Sequence, residues 1–182
     1  SLGHIGSVDY TTSNEVSVKQ DSVNSAVVRL GFLGGKEFTI GGHPAFRVPV
    51  REGESQSDYR LAFEGLDTLT YLLIDTSVGT VLADEPHTLS LENGTCSIAP
   101  HMFDKDALVF DNGQIQKAGI LFPDGTPYLT LTSEGFPNFG IWSVPGAPFV
   151  CLEPWMGRCD DCGFEKPLSE LSLIHISEPT RH

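Results

Sequence analysis

Apolar positions along the chain fall into short runs separated by turn residues, with a period of two wherever a period is legible. Tyr59–Glu64 (Y-R-L-A-F-E) alternates as a half-buried strand does, and Leu69–Asp75 is a second, more apolar run. Asn93-Gly94 lies between Thr88–Leu91 and Thr95–Ala99, and Asn112-Gly113 between Ala107–Phe110 and Gln114–Gly119. Asp124-Gly125 separates Ile120–Phe122 from Tyr128–Thr132 in the same way. These dipeptides tolerate the positive φ values of tight hairpin turns, so each predicts a hairpin. Turns recurring at this spacing predict an all-β, antiparallel sandwich or barrel. No amphipathic helix is evident; Phe103–Asp106 predicts one short turn. Ser1–Gly35 is the least regular part, with weak alternation at Glu15–Lys19 and an apolar patch at Ala26–Phe32 that together predict a strand or two.

The late stretch Phe139–Asp161 reads F-G-I-W-S-V-P-G-A-P-F-V-C-L-E-P-W-M-G-R-C-D-D. Two apolar runs, Phe139–Val144 and Pro148–Leu152, flank a turn at Pro145-Gly146. Proline cannot donate to a sheet ladder, so the second run is expected to stop at Glu153-Pro154. That would set a carboxylate at the mouth of a sheet beside the Trp155 indole, a combination that suits a sugar: the ring takes the apolar C–H face and the acid takes hydroxyls. The same residues also fit an exposed strand-end acid and a tryptophan that caps the core.

With 182 residues, of which 40% are hydrophobic, the chain can build one domain with a real core. No apolar run approaches the length that spans a bilayer, and the first residues have neither a basic start nor an apolar signal core. A cytoplasmic protein without a membrane partner is therefore expected. The net charge of -13 argues against nucleic acid and anionic membranes as partners. Cys159-Asp-Asp-Cys162 has redox or zinc spacing, but there is no second such pair and the nearest candidate histidine is His175, so free thiols and no metal are expected.

An earlier stretch, Phe38–Pro49, reads F-T-I-G-G-H-P-A-F-R-V-P. Together, I-G-G-H-P-A-F-R-V-P early and G-I-W-S-x-P-G-A-P-F-V-C-L-E-P-W-x-G late resemble the aldose 1-epimerase (galactose mutarotase) family. D-A-L-V-F-D at Asp106–Asp111 falls where that family has an aspartate followed by apolar residues. The resemblance runs from about Phe38 to Glu170. It implies a galactose mutarotase-like supersandwich, here incomplete, and interconversion of the α and β anomers of an aldohexose such as galactose or glucose, without a cofactor. It assigns the acid's role to His43, the base's to Glu153 and hydroxyl binding to Asp106, with Trp155 beside them. The family site also uses an arginine and a second histidine from preceding strands. No match to either in the family's pattern is legible in Ser1–Gly35, and His4 does not sit in it. This chain by itself is therefore expected to be inactive or nearly so.

Residues 1–35 stay unassigned, either a divergent strand pair or a mistranslated stretch, and 36–170 form the epimerase-like sandwich. Leu171–Arg181 (L-S-L-I-H-I-S-E-P-T-R) resembles the conceptual translation of a sequencing adapter, which sets 171–182 apart as a tail; it also reads as an amphipathic strand.

The chemistry agrees with these roles. Mutarotation needs a base at the anomeric hydroxyl and an acid at the ring oxygen, with the roles reversed on closure. An ordinary glutamate is ionised at neutral pH, and an imidazole titrates close to neutrality. Two such groups bracketing one pyranose would stand about 5–8 Å apart, given hydrogen-bond reach of roughly 3 Å on each side. Taken alone, His43 also fits a structural Gly-Gly-His-Pro turn, and Asp106 a solvated loop acid. A serine hydrolase lacks its G-x-S-x-G, and a glycosidase would leave the histidine idle. A non-catalytic sugar-binding sandwich would keep Trp155 and Asp106 without needing His43. A hexose-phosphate epimerase would want a basic cluster, for which Arg47, Arg51 and Arg60 are too scattered.

Overall fold

The computed structural model describes residues 14–20, 24–30 and 41–157, the first two segments through their backbone pairing. Cys159, Cys162, His4, His175 and the 171–182 tail lie outside the described residues. The strands are β1 (Asn14–Gln20), β2 (Asn24–Leu30), β3 (Ala45–Arg47), β4 (Arg60–Ala62), β5 (Thr68–Tyr71), β6 (Ile74–Asp75), β7 (Thr80–Val81), β8 (His87–Ser90), β9 (Thr95–Ser97), β10 (Leu108–Phe110), β11 (Lys117–Leu121), β12 (Pro127–Ser133), β13 (Asn138–Trp142) and β14 (Phe149–Trp155). A six-stranded sheet runs β2-β1-β12-β11-β4-β9 and a four-stranded sheet runs β10-β13-β14-β3, with the small pairs β5-β8 and β6-β7 beside them. All ladders are antiparallel, as expected from the turn pattern. The weak alternation near Glu15 and the Ala26–Phe32 patch become β1 and β2, paired from Asn14↔Leu30 to Gln20↔Asn24, and β1 adds to β12. Among the described residues no helix is long and apolar enough to cross a membrane.

One apolar cluster joins the two large sheets: Leu61, Ala118, Ile120, Leu129 and Leu131 from the six-stranded sheet meet Leu108, Phe110, Phe139, Ile141, Val150 and Leu152 from the other. In the four-stranded sheet these core residues alternate with Val109, Gly140, Trp142, Cys151, Glu153 and Trp155, which the period of two places on the opposite face. That second face is covered as well. Leu72, Val81 and Val109 form a smaller cluster there, with Ile74 and Trp155 packed against it. Strand β14 is therefore buried on both sides, which is why F-V-C-L-E-P-W lacks the apolar–polar alternation of a half-exposed strand.

Three local expectations turn out otherwise. Asn93 and Gly94 do adopt positive φ values of 51 and 73, and a single bridge closes between Glu92 and Thr95. Yet β8 then pairs with β5 and β9 with β4, so the hairpin ends where it starts. Asn112-Gly113 likewise turns (φ 58 and 66) but carries the chain from β10 in one large sheet to β11 in the other. Gln114 holds this crossing open: its side chain accepts from Thr70 N at 2.8 Å and donates to Thr70 O at 2.9 Å. Of the three dipeptides, Asp124-Gly125 alone closes a continued hairpin, between β11 and β12, with Asp124 Oδ1 accepting from Thr126 N at 2.8 Å. Phe103–Asp106 lies in a run of turns, as expected; among the described residues the one helical turn is a 3-10 turn at Gln56–Asp58.

The third correction concerns Pro154, where β14 was expected to stop and instead continues, paired with Phe139, to Trp155 opposite Asn138. Leu152 N donates to Pro44 O at 3.2 Å, and Pro154 O accepts from Gly42 N at 2.9 Å. A residue's N–H and C=O point to the same side of a strand, so the donor that proline lacks falls on the Gly42 side, beyond the end of β3. The ladder to β13 loses nothing.

Leu152 is fully buried between the sheets. Leu152→Ala should cost about 2–5 kcal/mol of stability, read as a lower denaturation midpoint at unchanged slope. A loss well under about 1 kcal/mol would contradict this packing.

Candidate active site

Cys151 and Glu153 sit two residues apart on β14, so both face away from the main core. The loop before β3 crosses this face. Its backbone is tied to β14 by the Gly42–Pro154 and Leu152–Pro44 hydrogen bonds and by a bridge between Gly41 and Trp155. Glycine is required here for close approach: a Cβ on Gly41 would lie 2.7 Å from Trp155 Cδ1. The approach delivers His43 onto the acid, with Nδ1 2.7 Å from Glu153 Oε1 and Nε2 4.0 Å from Cys151 Sγ. His43 and Glu153 thus share one face, as expected, but they touch, so no pyranose fits between them at 5–8 Å. The short Gly-Gly loop seats the imidazole directly on the strand.

The two partners differ sharply in exposure, with 67% of the His43 side chain accessible against 4% of Glu153. Although the imidazole approaches closely, Glu153 Oε1 is buried without an aligned hydrogen-bond donor. Burial pushes the Glu153 pKa above the ordinary carboxylate value, and the His43 imidazole, Cys151 thiol and Trp155 indole pull it only part of the way back. Burial, reinforced by the Glu153 charge, pushes the Cys151 thiol up to about 12, so it is neutral at ordinary pH.

Trp155 lies against the sheet with its six-membered ring over Gly140. A Cβ at Gly140 would come within 2.5 Å of Trp155 Cζ2. The ring also packs on the Leu72, Val81 and Val109 cluster. Asp106 has a positive φ of 75, and its Oδ1 accepts from Ala107 N at 2.6 Å. It lines a cleft of about 670 Å³ together with Phe103, Asp104, Lys105, Leu73, Asp75, Glu85, His87 and Trp142. Neither His43 nor Glu153 lines that cleft. The link between them is Trp142, half-buried, which forms a wall of the cleft and stands 6.0 Å, centroid to centroid, from the His43 ring. Trp142 and Cys151 were missed as site residues. The signal was the period of two in G-x-W and C-x-E, which puts Gly140, Trp142, Cys151 and Glu153 on one face. Gln56 fixes the loop between β13 and β14, donating to Phe149 O at 2.8 Å and to Ser143 Oγ at 3.2 Å.

Two solved structures share this architecture. A galactose mutarotase related enzyme from Lactobacillus acidophilus superposes with a TM-score of 0.60 at 19% identity, over 90% of this chain and 63% of that one. A galactose mutarotase-like protein from Lactobacillus casei does so with a TM-score of 0.56 at 22% identity, over 86% and 62%. The fold is galactose mutarotase-like. The resemblance carried by the His43 and Glu153 stretches thus agrees with the architecture around them. No family model matches the chain. The plasmid and chromosomal LacX proteins of Lactococcus lactis subsp. lactis are each 30% identical over 122 residues, 66% of this chain, which spans 40% of their length.

Two outcomes follow from this site geometry. Gly140→Ala should destabilise by about 1–3 kcal/mol through overpacking against Trp155. Trp155→Phe, which removes the offending ring, should recover part of that loss in the double variant; strict additivity would overturn the assignment. Glu153 binds a proton in the folded state that the unfolded chain, near the ordinary value of about 4.3, has already released. Its contribution to stability is therefore greatest below that value and is lost as pH rises through the raised folded pKa. With chelator present, the melting-temperature advantage of Glu153→Gln over the parent should grow from acid toward neutral pH; an equal difference at both ends would overturn it.

Proposed function

We propose that the protein is an aldose 1-epimerase that interconverts the α and β anomers of an unphosphorylated aldohexose by acid–base ring opening. The observation that carries this reading is the His43–Glu153 contact: a buried carboxylate with an unaligned oxygen, covered by an exposed imidazole, on a face that continues through Trp142 into an open cleft. His43 turns aside to admit the sugar. Glu153, its pKa raised toward the working pH, takes the anomeric proton while the imidazole protonates the ring oxygen, and the roles exchange on closure. Asp106 holds hydroxyls, and the Trp142 indole, which lines the cleft, takes the apolar ring face.

The cleft volume is within the roughly 300–1,000 Å³ common for small ligands. Its described lining carries four carboxylates, Asp75, Glu85, Asp104 and Asp106, against one lysine, Lys105, which favours a neutral sugar over a phosphosugar. The two solved structures, a galactose mutarotase related enzyme and a galactose mutarotase-like protein, support the same reaction class.

Polarimetry on freshly dissolved α-glucose and α-galactose tests the reading, using a protein that carries this segment at the length of its relatives. The expected result is acceleration over buffer for at least one sugar. Glu153→Gln should then slow turnover by about 10²-fold or more while leaving sugar binding largely intact. No acceleration, or an unchanged rate in the variant, would sink the proposal.

A further inference from the structure

We propose that His43, Cys151 and Glu153 form a site for a single borderline-soft divalent cation of the zinc type. Among the described residues these three offer an imidazole nitrogen, a sulfur and a carboxylate oxygen, all within 4.8 Å of one another. Three protein ligands of this mixed set, with a fourth position open, are what Zn²⁺ takes where it also binds an exchangeable group. The sulfur disfavours Mg²⁺ and Ca²⁺, which prefer oxygen.

Tetrahedral zinc with ordinary bond lengths sets its ligand atoms roughly 3.4–3.6 Å apart. The two short contacts use different ring nitrogens, Nδ1 to Glu153 at 2.7 Å and Nε2 to Cys151 at 4.0 Å, so one nitrogen serves the ion only after the ring turns; with one atom from each residue the three already lie within 4.8 Å. His43 is the exposed member and is free to make this adjustment by side-chain rotation. The other two donors are fixed on β14, whose opposite face lies in the main core.

A second observation concerns the buried carboxylate of that set, whose near neighbour is His43 Nδ1 at 2.7 Å. Glu153 Oε1 is buried and aimed into the cluster without an aligned donor, and leaving a charged group in that condition is costly. A cation bound there would satisfy it. On binding, the Cys151 S–H proton leaves to solvent and the thiolate occupies the metal, so no other reactant is needed. The site goes against the expectation of no metal; it uses the acid and base of the proposed sugar reaction, so a bound cation would exclude that reaction, and metal binding is the readout that tells the two apart.

The test titrates the 182-residue chain with Zn²⁺ against a chromogenic chelator, in a Cys159→Ser/Cys162→Ser background that removes the other metal-like spacing. One zinc per chain should bind, and excess Mg²⁺ should not displace it. Cys151→Ser and Glu153→Gln should each weaken binding by roughly tenfold or more, since even outer partners of metal ligands contribute that much. Co²⁺ should give a thiolate charge-transfer band that Cys151→Ser abolishes, while Cys96→Ser leaves it unchanged. Should Cys151→Ser not fold, His43→Gln at its exposed position carries the same test through Co²⁺ affinity. No zinc in the double-serine background, or affinity indifferent to Cys151 and His43, overturns the proposal.

Discussion

A strand buried on both faces is the constraint from which the rest of the structure follows. Val150 and Leu152 on one side of β14 are fully enclosed between the two large sheets, while Cys151 and Glu153 on the other side are enclosed beneath the loop that carries His43. Since the core side cannot shift without opening cavities, the polar side is held in place by packing that has nothing to do with its chemistry. A carboxylate placed in this way cannot relax toward water, and that is why its pKa rises in spite of an imidazole in contact. Preorganisation and the cost of burying charge here have a single physical cause.

Two glycines translate that constraint into a shaped site. Gly140 and Gly41 leave room for the Trp155 indole, which fills the space a side chain would otherwise occupy and closes the end of the site face. Trp142, one strand over, is the indole turned toward the cleft and His43. The two tryptophans divide the work: one packs the floor against Leu72, Val81 and Val109, and the other forms a wall.

His43 and Glu153 would serve either the proposed proton transfer or, with Cys151, the proposed metal site, because both call for polar side chains held together with little water. Which of them operates depends on what reaches Glu153 first, a hydroxyl or a cation, and in either case His43 has to rotate. Its exposure beside a buried partner makes it the movable part of an otherwise fixed cluster.

The sequence by itself determined what depends on neighbouring residues: an all-β antiparallel chain, the turns at Asn93-Gly94, Asn112-Gly113, Asp124-Gly125 and Pro145-Gly146, and a shared face for Cys151 and Glu153 through the two-residue period. It also carried, by resemblance, the pairing of His43 with Glu153. What only the tertiary structure decided is which strands those turns connect, since backbone φ values fix a turn while hydrogen-bond partners many residues away fix the sheet. Asn93-Gly94 and Asn112-Gly113 turn as their dihedral preferences require, yet each leads into a different ladder because Thr70, Gln114 and Asp67 compete for the neighbouring backbone. Pro154 remains in its strand because its missing donor faces the Gly42 loop, a fact of side and register that no local rule contains. The direct contact of His43 with Glu153, and the burial that perturbs the acid, likewise arise only when a loop a hundred residues away in sequence closes over β14.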